Sequence, residues 1–115
     1  MPVQCWDVVR VDFPYADEPV NRPRPALVIA APAATSSIGL VWVLMITSAR
    51  HAPWPLDVPI TGLATAGLSH PSLIRTAKIA SIDLRFVTPI GHLSAPDRDA
   101  VTTSLKRQLD AALSL

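Results

Sequence analysis

Eight of the ten basic residues in this 115-residue chain are arginines, and a guanidinium binds phosphate or carboxylate through a planar pair of hydrogen bonds that an ammonium does not match. They are unevenly placed. Residues 1–19 carry a net charge of −3, residues 20–92 carry +4 from Arg22, Arg24, Arg50, Arg75, Lys78 and Arg85 against Asp57 and Asp83, and residues 93–115 balance. The formal net charge of +1 argues against a histone-like arm or a polybasic membrane tail. An anionic ligand is therefore expected at the middle of the chain. There, Arg24 precedes one aliphatic run, and Thr47, Ser48 and Arg50 follow another. If the two runs are antiparallel neighbours, Arg24 lies beside Thr47 and Ser48. One cation and two hydroxyls converging on a spot suit a pentavalent phosphorane, whose non-bridging oxygens gain charge. The plainer alternative is a solvated loop arginine and a strand-end hydroxyl bonded to its own backbone.

Other chemistries are poorly served. His51, His70 and His92 stand roughly twenty residues apart and Cys5 is the only cysteine, so neither a metal set at ligand spacing nor an internal disulfide is expected. The four glycines stand singly, which leaves no phosphate-cradling loop, and no G-x-S-x-G nucleophile turn occurs. A chain that works without metal or cofactor is expected. One cysteine and no leader-like apolar segment make the cytoplasm the expected compartment.

The elements that must position these residues are short. Val9, Val11 and Phe13 alternate with Arg10 and Asp12, as in a strand with one face on the core. Pro14 ends it, and the four prolines within residues 14–25 stiffen a loop able to hold a functional side chain. Residues 26–31 and 38–47 are aliphatic runs that predict two central antiparallel strands, with Trp42 in the core. Residues 49–56 predict an exposed loop and 57–60 a short strand, with another loop over 61–71. Separate strands follow at 72–75, 78–82 and 87–90, with one helical turn at 83–85. Ser94 and Asp97 resemble a capping box, and Val101, Leu105, Leu109, Ala112 and Leu113 share one face of a C-terminal helix. The longest apolar run, residues 38–46, is nine residues long, against the roughly twenty of a membrane span. Half the residues are apolar and 17% charged, enough for one core in one domain. The expected fold is mainly β, a small bent barrel with a C-terminal helix packed on it.

The segment WDVVRVDFPYADEPVNRPRPALVIA, a strand ending in ITS, the block AGLSHPSLIRTAKIASID and the segment IGHLS before the helix occur in this order over nearly the whole chain. The ordered set resembles the MazF/PemK toxins of type II toxin–antitoxin systems. The resemblance implies an SH3-like barrel and a homodimer. It also implies metal-independent cleavage of single-stranded RNA within a short recognised sequence, and silencing by a cognate antitoxin. It carries the family's active-site arginine onto Arg24 and its threonine onto Thr47, with Ser48 beside it, and a catalytic arginine of the PemK branch onto Arg75. Arg22, Arg50, His51, Trp54 and Lys78 are the expected RNA contacts, Trp54 as an exposed indole able to stack a base or an antitoxin side chain.

The sequence also departs from the family. Trp6 stands before Asp7 where a glycine is usual; Ala77 stands where the PemK branch has an acidic residue, and Ala80 where many members have an arginine. The reaction implied is attack of the ribose 2′-hydroxyl on its own phosphate, giving a 2′,3′-cyclic phosphate and a 5′-hydroxyl. Arg24 suits charge stabilisation and protonation of the leaving oxygen, while a guanidinium is a poor base. For the base, His51 is the nearest imidazole in sequence, with His70 a remoter choice, though loop histidines are more often plain surface; His92 suits a structural role. The competing readings are a homologue that binds RNA or protein without turnover, and a CcdB-like gyrase poison.

Overall fold

The structure is a computed structural model that describes residues 3–12, 23–30 and 38–114. Phe13, Arg22, Ala31 and most of the proline-rich loop lie outside the described residues. Six strands form one antiparallel sheet: β1 (Asp7–Val11), β2 (Arg24–Val28), β3 (Leu40–Ser48), β4 (Val58–Pro59), β5 (Ser72–Asp83) and β6 (Val87–His92). Their order across the sheet is β4-β5-β3-β2-β1-β6. A 3₁₀ turn (Leu84–Phe86) separates β5 from β6, and helix α1 (Ala95–Leu113) follows. This is the expected mainly β fold with a C-terminal helix, the sheet staying open between β4 and β6.

Both faces of the sheet are apolar. On the helix side, Val8, Leu27, Leu44, Ile46, Ile74 and Val101 pack together with Val58, Ile60, Ala66 and Leu93. On the other side Val9, Val11, Ala26, Val28, Val41, Val43 and Met45 form a second cluster, joined by Ala80, Ile82, Leu84 and Val87 as the sheet bends. The alternation at Val9 and Val11 predicts one buried face for β1, yet Val8 is also fully buried. Adjacent aliphatic residues are what a strand buried on both faces requires.

Several expectations are corrected. The strands predicted at 72–75 and 78–82 are one strand, β5, interrupted by a register shift against β3 between Leu44 and Ile46. Such an irregularity breaks the period-two pattern without ending the strand. Trp42 is 51% exposed rather than core. It shares the helix-side face with Leu44, where α1 does not cover it. The helix buries Asp97, Val101 and Ser104, while Leu109 and Leu113 are exposed, so the apolar stripe serves the core only over the first half.

The Ser94–Asp97 capping box does not form: Ser94 is the N-cap residue but makes no side-chain capping bond. Asp97 instead reaches the loop after β4. It accepts from Thr61 N at 3.0 Å, Thr61 Oγ1 at 2.7 Å and Gly62 N at 3.0 Å, and so clasps the helix start to the sheet. Burial pushes the Asp97 carboxyl up, but these hydrogen bonds outweigh it and hold it below its ordinary range. The same loop lies against β6: His92 N donates to Thr65 O at 3.0 Å. A Cβ on Gly67, whose φ is +74°, would stand 2.1 Å from Ile90 O, so only glycine allows this approach.

Replacing Asp97 with alanine should cost about 2 to 4 kcal/mol, since buried donors lose a charged acceptor; urea titration at neutral pH checks this. A carboxyl lowered in the folded state contributes its full stability above its unfolded pKa and loses it as the pH falls through the folded value. Stability should therefore decline below about pH 4, with a shallower acid slope in Asp97→Asn.

Candidate functional site

The end of the sheet gathers the predicted residues through register. β2 pairs with β3 as Ala26 with Met45, Leu27 with Leu44 and Val28 with Val43. The paired ladder ends at Ala26 and Met45; the same register continued two residues further brings Arg24 level with Thr47. Arg24 pairs with Val11 on β1, and Thr47 with Leu73 on β5. Residues in such a row share one face of a sheet, so Arg24 and Thr47 project on the side away from α1, at the strand ends. Arg24 is exposed and Thr47 half-buried.

The loop leaving β3 folds back at once. Ala49 N donates to Pro71 O at 2.9 Å and His51 N to Ser48 O at 3.1 Å. Arg50 N donates to Ser48 Oγ at 3.2 Å, so the Ser48 hydroxyl oxygen closes a turn. This turn brings His51 against Thr47, with Nδ1 and Oγ1 2.7 Å apart. The imidazole four residues along the chain thus belongs to the Arg24–Thr47 group.

Arg75 projects from β5 into the underside of the same loop. It is 5% exposed; Nη2 donates to Ala52 O at 3.2 Å, and the guanidinium lies 3.9 Å from the centre of the Trp54 ring. Asp57 Oδ2 stands 3.7 Å from Arg75 Nη1 and accepts from Trp54 N at 2.8 Å. The loop's last turn is held by two hydroxyls on one carbonyl, since Thr76 Oγ1 donates to Leu56 O at 3.1 Å and Ser104 Oγ donates to it as well. Those bonds fix Leu56 at φ +68°, a left-handed conformation that leucine rarely adopts unaided.

Thr47, Ser48 and His51 therefore stand together at the end of β3, with Arg50 exposed beside them and Arg24 exposed at the start of the neighbouring strand β2. Trp54 is 46% exposed with one ring face against Arg75. Lys78 is exposed on β5, three residues beyond Arg75. Sequence reasoning missed Asp57 as the partner of Arg75 and of the Trp54 backbone. Its only local signal is the Trp54-to-Asp57 spacing, at which a carboxylate reaches back to an N–H. Among the described residues no three His, Cys, Asp or Glu side chains converge as metal ligands, and no helix is long and apolar enough to cross a membrane.

The model of the PemK-like, MazF-like toxins of type II toxin–antitoxin systems matches residues 4–109. The chain belongs to this toxin family. MazF from Deinococcus radiodurans is similar in fold at 24% identity, covering 96% of this chain and 98% of that one with a TM-score of 0.74. The MazE–MazF complex from the same organism superposes at TM-score 0.73 and 22% identity, over 95% of this chain and 96% of that one. An endoribonuclease from a Mycobacterial species, solved with its cognate antitoxin, matches at TM-score 0.74 and 15% identity over 99% of both chains. No curated protein sequence matches this chain.

One departure from the MazF/PemK pattern has a visible backbone cost. Trp6, where a glycine is usual, has φ +75°. It is held there by its N–H on Val28 O at 2.8 Å and by Leu93 N on its carbonyl at 2.9 Å. Its ring packs on the helix-side core, so apolar contact offsets a strain of about 1 to 2 kcal/mol.

Removing the Arg75 side chain strands the Asp57 carboxylate in a buried position. Arg75→Ala should cost about 3 to 5 kcal/mol and increase proteolytic cutting within residues 49–57. Indole emission, with Trp54→Phe as the reference, should shift to the red as the guanidinium leaves the ring; an unchanged spectrum would detach Arg75 from this loop.

Proposed function

We propose that this chain is a toxin endoribonuclease that cuts single-stranded RNA. The products are a 2′,3′-cyclic phosphate and a 5′-hydroxyl, cutting needs no metal, and sites are chosen by a short sequence. The observation that carries the reading is the β2–β3 register, which, continued two residues past Ala26 and Met45, supports Arg24 and Thr47 as neighbours at the strand ends, inside a fold shared with the toxin family. A guanidinium and a hydroxyl at that spacing can both donate to the non-bridging oxygens of one phosphate and gain strength as their charge rises. Arg24 stabilises the phosphorane and Thr47 donates to one of its oxygens. Ser48 contributes through its turn with Arg50, and Arg75 through the loop it supports, which presents His51 and Trp54.

Arg50 and Lys78, with Arg22 two positions before Arg24 in the sequence, supply charge for the RNA strand, and the open part of Trp54 offers a stacking surface for a base. A cognate antitoxin that places acidic and apolar groups over the same residues would compete with RNA. A homodimer would carry two such sites. The family's antitoxin partnership is consistent with this reading, since the D. radiodurans relative is solved as a MazE–MazF complex.

Incubation of the purified protein with a long single-stranded RNA in EDTA should give discrete cuts. Arg24→Ala, still folded by circular dichroism, should cut about a hundredfold to a thousandfold more slowly. No cutting of any RNA by folded, antitoxin-free protein would turn the reading toward a binding module. Binding to an uncleavable 2′-O-methyl RNA should weaken with salt at a log–log slope of about −2 to −3, the release expected for three or four neutralised phosphates on a single strand. A flat response between low and physiological salt would overturn the phosphate-tracking path.

A further inference from the structure

The Thr47–His51 contact has a direction that follows from counting protons. Its two atoms, Oγ1 and Nδ1, stand 2.7 Å apart, so one of them donates. A threonine hydroxyl has a single hydrogen, and a neutral imidazole carries a hydrogen on only one nitrogen. If Thr47 spends its hydrogen on His51, none is left for a phosphate oxygen. If His51 donates from Nδ1, Thr47 keeps its hydrogen for the phosphate and Nε2 is left with a bare lone pair. One tautomer therefore fits both residues to the reaction at once.

We propose that His51 is the general base of this site: its Nδ1–H donates to Thr47 Oγ1, leaving the Nε2 lone pair to take the proton of the ribose 2′-hydroxyl. This rests on the endoribonuclease reading above and names the residue that the reading lacks. The placement has three supports. His51 is exposed, so its outer nitrogen is open to substrate. The ring is anchored at both ends of its residue, by Nδ1 on Thr47 and by His51 N on Ser48 O at 3.1 Å. The loop that carries it is fastened by Arg75 on Ala52 O and by Asp57 on Trp54 N, so the orientation does not depend on one bond.

The step balances within the RNA. Nε2 takes the 2′-hydroxyl proton, the 2′-oxygen forms a bond to phosphorus, and the phosphorus–5′-oxygen bond breaks. The departing 5′-oxygen takes a proton from water, and the imidazolium returns its own to solvent. No oxidant, metal or second substrate enters.

The groups that share the surroundings of His51 are Arg50 beside it, Arg24 across from Thr47 and Arg75 beneath Ala52, with Asp57 engaged by Arg75. The other imidazole at this end is His70, whose Nδ1 stands 2.8 Å from Ser69 Oγ and whose neighbour Pro71 accepts from Ala49 N. The two histidines are separated by mutation.

The test is single-turnover cleavage of a short RNA in EDTA from pH 5 to 8, with wild type, His51→Asn, His51→Ala and His70→Asn. His51→Asn keeps an N–H donor near the place of Nδ1 and removes the base. Wild type should lose rate about tenfold per pH unit on the acid side of the imidazole range. Both His51 variants should be slower by about a hundredfold or more at neutral pH and lose that acid limb, with a loss of rate that far exceeds their loss of affinity for 2′-O-methyl RNA. Added imidazole should restore part of the rate in His51→Ala. His70→Asn should keep the limb. Cleavage by the His51 variants within threefold of wild type, or an acid limb that disappears in His70→Asn instead, overturns the assignment while leaving the nuclease standing. Absence of cleavage by wild type overturns the nuclease itself and the base with it.

Discussion

The pairing of Ala26 with Met45 fixes how β2 lies on β3, and a slip of one residue would carry Arg24 to the face opposite Thr47. That register is held from both sides. Ala26 and Met45 sit in the cluster away from the helix, and Leu27 and Leu44, the next pair, sit in the cluster beneath it. Because each strand is buried on both faces, a slip exchanges the contents of two packed cores rather than exposing one. Arg24 and Thr47 are positioned by the aliphatic residues two places further along their strands, with no buried charge between them and that register.

A second layer of constraint acts on the loop between β3 and β4. Its attachments come from four parts of the chain: Thr47 and Ser48 at its start, Arg75 and Thr76 on β5, Ser104 on α1, and Asp57 at its own end. Loops usually owe their shape to their own turns, but here the sheet and the helix each hold part of it. The helix, remote from Arg24, reaches the site through the Leu56 carbonyl.

Much of this was readable from residue order. The apolar runs marked β2 and β3 and their antiparallel pairing, and the spacing after Ser94 marked a helix. What escaped shares one physical cause, dependence on partners distant in sequence. Arg75 reads as a free cation until Trp54 and Asp57, some twenty residues earlier, fold beneath it. Asp97 reads as a local cap until Thr61 and Gly62 present three donors to it. Trp42 and Leu109 carry the right spacing for burial, yet the helix covers only part of the sheet. The break in β5 is a register shift that pattern alone reads as two strands.

The margins of the sheet have a consequence of their own. β4 is two residues long and ends in Pro59, and β6 contains Pro89 while the 61–71 loop lies along it through Thr65 and Gly67. Short, proline-bearing or covered borders are how sheet proteins avoid joining end to end, and the β6 border follows that rule. The opposite border does not follow it along its length, because β4 pairs only with Leu73 and Ile74 of the twelve-residue β5. Beyond Ile74, among the described residues, no strand lies against the outer edge of β5, and Ala77, Lys78 and Ile79 are exposed there. An extended peptide that joins this sheet as a further strand therefore has the far half of β5 to join, not β6.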